Sequence, residues 1–325
     1  MASRAPETEG PYRRGRTFWG IVGDLFFFNT GSSLAGLTTV VPSFLATLTS
    51  SAPLIGLSST VANGGWLIPQ IFAANSLAGR RRRKSSVLIP AGIDRALMLL
   101  IAPLILLLAP RSVPATLVVF FVVYTLIYVL DGFATIAWLD LLGRCLTPQA
   151  RARMISISTV AAGAAGIAGG AVVGVILSAP RLAGPPGYAL LFLLCGVLWT
   201  LSFISIACIH ESPLAETRPR QPWGAYFGRL ASVVRSDVHL RRVAGGMLLL
   251  GGLGIAAPFY VVHGLEDLRF PAASVGIFTS AQLAGGILSG LVFGLMGERR
   301  GTRSVLRLWA VCAVVAPLVA LGAET

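Results

Sequence analysis

Long apolar runs alternate with short polar segments along nearly the whole chain. Nine runs stand out, at roughly 19–44, 54–78, 87–109, 114–142, 154–178, 188–209, 242–263, 272–297 and 304–322. Each is long enough to cross a bilayer as a helix, which takes about 20 residues. Their polar positions recur at helical spacing, and no alternating ten-residue segments suggest a transmembrane barrel. Pro90, Pro103 and Pro258 fall inside runs, where neighbouring helices of a membrane bundle can satisfy the freed backbone groups. The pattern predicts an all-α polytopic membrane protein. The first run is too long for a signal-peptide core and lacks a small-x-small cleavage site, so it is read as an uncleaved helix behind a polar tail, residues 1–18.

Composition agrees, with 55% hydrophobic residues against 12% charged, too little polar surface for a soluble domain of this length. Charge adds direction. With the N-terminus in the cytoplasm and nine alternating spans, the cytoplasmic side receives four basic residues before the first span and five at 80–84. It also receives three around 144–153, six between 218 and 242 and four between 299 and 307, 22 in all. The opposite side receives Arg111, Arg181 and Arg269. Lysine and arginine resist translocation, so this asymmetry predicts a cytoplasmic N-terminus. The run Arg80 to Lys84 then reads as a topological anchor that can also attract anionic lipid headgroups, and a nucleic-acid partner is not expected. Arginine outnumbers lysine 25 to one, as in GC-rich genomes, which points to a bacterial inner membrane.

Several spans carry polar stripes. Tyr124, Tyr128, Asp131, Thr135 and Trp138 step by four, three, four and three on the fourth span, which places them on one face. Lipid contact there would expose a carboxyl to hydrocarbon at about 2.5–3.5 kcal/mol, so the stripe is expected to face a wet cavity or another helix. Asp131 is the leading candidate for a protonatable or solute-binding group. Its structural alternative is a charge pair with Arg95, which lies beside Asp94 at similar depth in the third span. Asp140 is expected to pair with loop arginines. On the second span Ser59, Asn63, Trp66 and Gln70 form a similar stripe, and on the first Asn29, Ser33 and Gly36 do, with Asp24 nearer the cytoplasmic end. Asn29, Asn63 and Gln70 suit cavity contacts and helix–helix hydrogen bonds equally. Glycine recurs every fourth residue at Gly166, Gly170 and Gly174 and again at Gly286, Gly290 and Gly294, smooth faces for close helix packing.

Near residue 294 the chain reads G-L-M-G-E-R-R-G-T-R, carrying Gly294, Glu298, Arg299, Gly301 and Arg303. This resembles the signature G-x-x-x-(D/E)-R-x-G-x-(R/K) that follows the second helix of each half of major facilitator superfamily transporters. An earlier copy, Asn75 to Lys84, keeps Arg80, Arg83 and Lys84. It departs at Asn75 and Arg82, where glycine is expected, and at Gly79, where an acid is. With Arg80 over Arg299 the copies lie 219 residues apart, with six spans between them. The resemblance implies a six-helix N-terminal lobe (19–209), a cytoplasmic linker (210–241) and the first three helices of a C-terminal lobe (242–325). Helices ten to twelve of the family have no counterpart, so a chain stopping three spans short is expected. The resemblance also implies that the fifth and eighth helices meet between lobes and that the signature residues latch one conformation. Within the linker Trp223, Phe227, Leu230 and Val234 form an apolar helix face, which suits the membrane interface or packing on the bundle.

The function implied is secondary active transport of a small solute by alternating access, as symporter or antiporter in the plasma membrane, with a proton or cation as candidate coupling ion. An enzyme is not expected. The chain has three histidines without metal-ligand spacing, no G-x-S-x-G element and no phosphate-binding G-x-x-x-x-G-K-(S/T) loop. Cys145, Cys195, Cys208 and Cys312 lack metal or redox spacing, and no cofactor is expected. A non-transporting membrane fragment is the alternative.

Overall fold

A computed structural model describes residues 11–211 and 219–322, with their side chains apart from those of 11–14, 249–254, 294, 298, 302 and 321. Among the described residues there are α-helices and short 3-10 turns and no strand. The helices are α1 (Pro11–Leu34), α2 (Val40–Ala46), α3 (Ala52–Leu77), α4 (Lys84–Leu108), α5 (Val113–Cys145) and α6 (Pro148–Ser178). After α7 (Pro185–Ala207) come α8 (Trp223–Ser236), α9 (Val238–Leu253), α10 (Ala257–Glu266), α11 (Ser274–Arg300) and α12 (Thr302–Leu321).

Six of them, α4 to α7, α11 and α12, are long and apolar enough to cross a membrane. The other three expected spans differ in an instructive way. The first is not one helix: α1 stops at Leu34 and the chain restarts as α2 at Val40. Backbone N–H groups of Thr39 and Val41 both donate to the Gly36 carbonyl, at 3.2 and 3.0 Å, and hold the turn between them. The seventh is broken likewise, α9 passing through a 3-10 turn at Gly254–Ala256 into α10, where Pro258 occupies the first turn and supplies no backbone donor. Shifted back by the 219-residue repeat, that turn falls on 35–37, inside the first break. The second span, α3, is a continuous helix of 26 residues whose polar stripe lowers its hydropathy. α1 starts at Pro11 and α9 at Val238, earlier than the apolar runs suggest, because polar residues extend both helices beyond their hydrophobic stretch.

α1 packs on α6 and α7, α3 on α5, and α4 on α5 and α7. Two apolar cores result. One surrounds Phe44, Phe120 and Phe192 at the end distant from the arginine run, called here the far end. The other, around Ile21, Leu141, Met154 and Ile209, lies at the basic end. The outer surface is apolar as well: Val160 is 67% and Val175 70% exposed, as lipid-facing residues should be.

α11 runs along α6, α12 packs on α11, and α10 meets α2 and α3. The α6 glycines are the contact: a Cβ on Gly170 would sit 2.7 Å from the Gly276 carbonyl oxygen, and one on Gly166 2.8 Å from Leu283. The face that α11 presents there is Gly276, Ser280, Leu283 and Ile287. Gly286 and Gly290 lie beside it and meet nothing within 4 Å; a four-residue glycine spacing marks a smooth stripe without saying which stripe is used. Gly294 falls outside the described side chains.

The basic end is tied by a reciprocal cap. Glu211, just past α7, accepts from the backbone N–H groups of Arg83 and Lys84 at 2.6 and 2.8 Å, where α4 begins. Lys84 Nζ donates to the carbonyls of Ala207 and Ile209 at the end of α7, both at 2.6 Å. An acid thus sits on one helix N-terminus and a cation on a neighbouring C-terminus, the favourable sense for both helix dipoles. Arg83 Nε donates to Asp140 at 2.9 Å, and Arg144 pairs with the same carboxylate. Of the other signature residues, Arg80 donates to Ser86 at 3.0 Å, and the Glu298 side chain lies outside those described. α8 docks on the end of α3: Tyr226 donates to the Ile71 carbonyl at 3.0 Å, and Phe72 meets Trp223 and Phe227. Asn75, where the signature expects glycine, donates to the Gln221 carbonyl at 3.1 Å.

Both partners of the reciprocal cap should matter to stability. Glu211→Ala and Lys84→Met are each expected to cost about 1–2 kcal/mol, read as a lower melting temperature of the detergent-solubilised protein. The double variant should lose less than the sum, because both caps serve one α4–α7 junction.

Candidate functional site

Between the two apolar cores lies a polar layer built from α1, α4, α5 and α7. At its centre is Arg95, 8% exposed. Its NH1 donates to both oxygens of Asp94, at 2.6 and 2.7 Å, and lies 3.9 Å from Asp131. The guanidinium also stands 5.3 Å from the Phe28 ring centre and 5.4 Å from that of Trp199, two rings stacked on each other at 4.9 Å. Asp24 is buried beside them and accepts from Ser202 at 2.5 Å and from the Trp138 indole at 2.8 Å. Three carboxyls therefore surround one guanidinium. Among the described residues no set of three His, Cys, Asp or Glu groups is placed to hold a metal ion.

Asp131 opens on a cavity of about 230 Å³ whose wall is set by α1, α3, α5 and α7. Phe28, Trp66, Tyr128 and Trp199 supply its rings; Asp131, Asn63 and Ser32 supply its polar groups. Glycine allows this assembly. A Cβ on Gly65 would lie 3.1 Å from Tyr128, and one on Gly132 would lie 3.2 Å from the Gly65 carbonyl oxygen. α3 and α5 thus approach backbone to backbone, bringing Trp66 to Asp131. The Trp66 indole donates to Thr135 at 3.0 Å, and Thr135 donates to the Asp131 carbonyl at 2.8 Å. A second crevice, between α4 and α5, holds about 10 Å³ and is too small for a ligand.

The candidates from the polar stripes thus separate. Asp131, Tyr128 and Asn63 line the cavity. Tyr124 is buried behind it, stacked on Phe120 and 3.5 Å from the Tyr128 hydroxyl. Trp138 turns into the bundle to Asp24. Asn29 donates to the Leu25 carbonyl at 2.7 Å and Gln70 to that of Trp66 at 3.0 Å, each within its own helix. Asn63 does the same to Ser59 at 2.8 Å while facing the cavity. Arg95 and Asp131 form an ion pair at 3.9 Å, a longer one than that with Asp94, which takes the hydrogen bonds of Arg95. Phe28 and Trp199 were not singled out by sequence; nothing in their spacing separates them from ordinary core aromatics. Asp24 and Asp94 carried a readable signal, an acid inside an apolar run.

No family model matches the sequence, and neither does any curated protein. Among solved structures, the chain resembles a bacterial homologue of the human lysosomal transporter Spinster, in an inward-facing and unoccupied conformation. The TM-score is 0.63 at 13% identity, over 91% of this chain. The chain spans 64% of the length of that structure. At this identity the likeness concerns the fold alone: a bundle of α-helices, six of the described ones long and apolar enough to cross a membrane.

Removing the indole donor with Trp138→Phe should cost about 1.5–3 kcal/mol, because the carboxylate of Asp24 then loses a partner in a buried setting. Trp66→Phe should cost less, since Trp66 is 37% exposed and its partner is a neutral hydroxyl. Melting temperatures of the two variants in one detergent test the order.

Proposed function

We propose that the protein moves a small solute across a membrane by alternating access. The observation that carries this reading is a carboxylate-bearing cavity among helices that close on one another at the far end. There Thr38 donates to Gln282, Thr279 to Thr39, and Ser280 to the Ile167 carbonyl, each at 2.9 Å. Toward the basic end a Cβ on Gly290 would meet nothing within 4 Å, so α11 is not held to a neighbour there as it is at Gly276. Rocking about the α6–α11 contact exchanges one opening for the other, with small residues letting the faces slide.

Asp131 is the group we assign to solute or coupling-ion binding. One guanidinium balances one of the three carboxyls, which leaves a place for a proton or a cation that moves with the solute. The basic end is the cytoplasmic one, by the distribution of arginine, and the segment 210–241 links the lobes there. Glu298, Arg299 and Arg303 serve as a latch at the same face, opposite Arg80 and Arg83.

In proteoliposomes Asp131→Asn should abolish gradient-driven uptake and spare counterflow exchange; undiminished gradient-driven uptake removes Asp131 from the coupling step. Reporter fusions after Arg83 and after Arg299 should both stay in the cytoplasm, and an external reporter at either site reverses the assigned orientation.

A further inference from the structure

We infer that the cavity takes an organic cation, an amine or quaternary ammonium carried on a small apolar body. The inference rests on the transport reading for its physiological meaning and on the cavity alone for its chemistry. The rings of Phe28, Trp66, Tyr128 and Trp199 line a space whose one charged lining group is Asp131. The stacked Phe28–Trp199 pair already carries Arg95, at 5.3 and 5.4 Å from the ring centres, which leaves Trp66 and Tyr128 as the rings for a guest. Ring faces attract a cation through their quadrupole, and the attraction grows when the charge is desolvated. A carboxylate at the edge of such a box supplies the counter-charge.

The nearest positive group does not reverse this field. Arg95 is absent from the cavity lining, and its NH1 is held by Asp94 at 2.6 and 2.7 Å. Its ion pair with Asp131 is long, 3.9 Å, and beyond hydrogen-bond distance, so the Asp131 carboxyl is held less closely than that of Asp94 and borders the cavity. Asp94 is taken up by Arg95 and Asp24 by Ser202 and Trp138, so neither brings a positive group to the wall. An anionic solute would meet Asp131 with no cationic group lining the cavity to receive it.

An inorganic cation fits less well. Hard ions such as calcium take about six to eight oxygen ligands, whereas the lining offers Asp131, Asn63 and the Ser32 hydroxyl among carbon faces. A bulky ammonium shields its own charge with alkyl groups and asks for contact area in place of ligands. The aromatic walls provide that area, and Asn63 lies on the same side to receive a polar substituent.

The test uses the full chain purified in nanodiscs, with no gradient, and reads binding by tryptophan fluorescence and by calorimetry. The probes are benzyltrimethylammonium, its uncharged carbon analogue neopentylbenzene, and phenylacetate. The ammonium should bind saturably and at least about tenfold more tightly than either other probe. Asp131→Asn should weaken the ammonium at least about tenfold and leave the neutral probe within about twofold. If that variant fails to give a monodisperse protein, Asp131→Glu should retain binding and Tyr128→Leu should reduce it. Preference for phenylacetate, equal binding of all three probes, indifference to Asp131→Asn, or no ammonium binding up to millimolar concentration would each overturn the inference. Binding of the ammonium without flux in proteoliposomes would instead leave the site standing and remove the carrier reading.

Discussion

The ion cluster around Arg95 constrains everything packed near it. A guanidinium buried in a helix bundle is costly to desolvate, and removing its partner would leave an uncompensated charge. Asp94 meets the requirement from the adjacent position on the same helix, with two hydrogen bonds to one nitrogen. The remaining carboxyls must then be accommodated separately. Asp24 is satisfied by two donors from α5 and α7, which fixes α1 against both helices at that depth. Asp131 receives no comparable pair of donors and faces open space. The cluster therefore sorts its acids into one bound closely by the guanidinium, one held by neutral donors and one paired with Arg95 only at 3.9 Å, and the last borders the cavity.

The helices that fail a strict apolar criterion are informative for the same reason. α1 and α3 carry the polar residues that surround the cavity, and a polar wall lowers mean hydropathy. α9 with α10 repeats the interruption of α1 with α2. Each interruption frees backbone groups that lipid could not satisfy, so both must lie where protein or water meets them. At the far end α2 and α10 lie against each other, so each short helix finds protein on one side.

Much of this architecture was legible in the sequence because lipid imposes a simple demand: a spanning segment must be long, apolar and helical. Apolar length located the long helices, six of which are apolar enough to cross a membrane. Periodicity also put Tyr128 and Asp131 on one face. It did not reveal which way that face turns at each level, and Trp138, on the same stripe, is committed to Asp24. Stripe reasoning is likewise blind to Arg95 with Asp94, since neighbours in sequence point about 100° apart on a helix and only a long side chain curling back joins them. The pairing of Lys84 with residues near 210 depends on tertiary docking, which local pattern does not encode. Averaging hydropathy over a window hid both breaks, because each is only a few residues long and contains an aliphatic one, Leu37 or Ile255, so the mean of the run barely falls.

The turns that follow α3 and α11 show how one geometry can arise under different letters. Gly79 has φ of 83° and Gly301 φ of 76°, the left-handed backbone that residues with a side chain seldom adopt. In the repeat register Gly79 stands over Glu298, three positions ahead of Gly301. A column-by-column comparison therefore gives two mismatches where the chain makes the same kind of corner twice. Likeness between the two turns is better traced through handedness than through spelling.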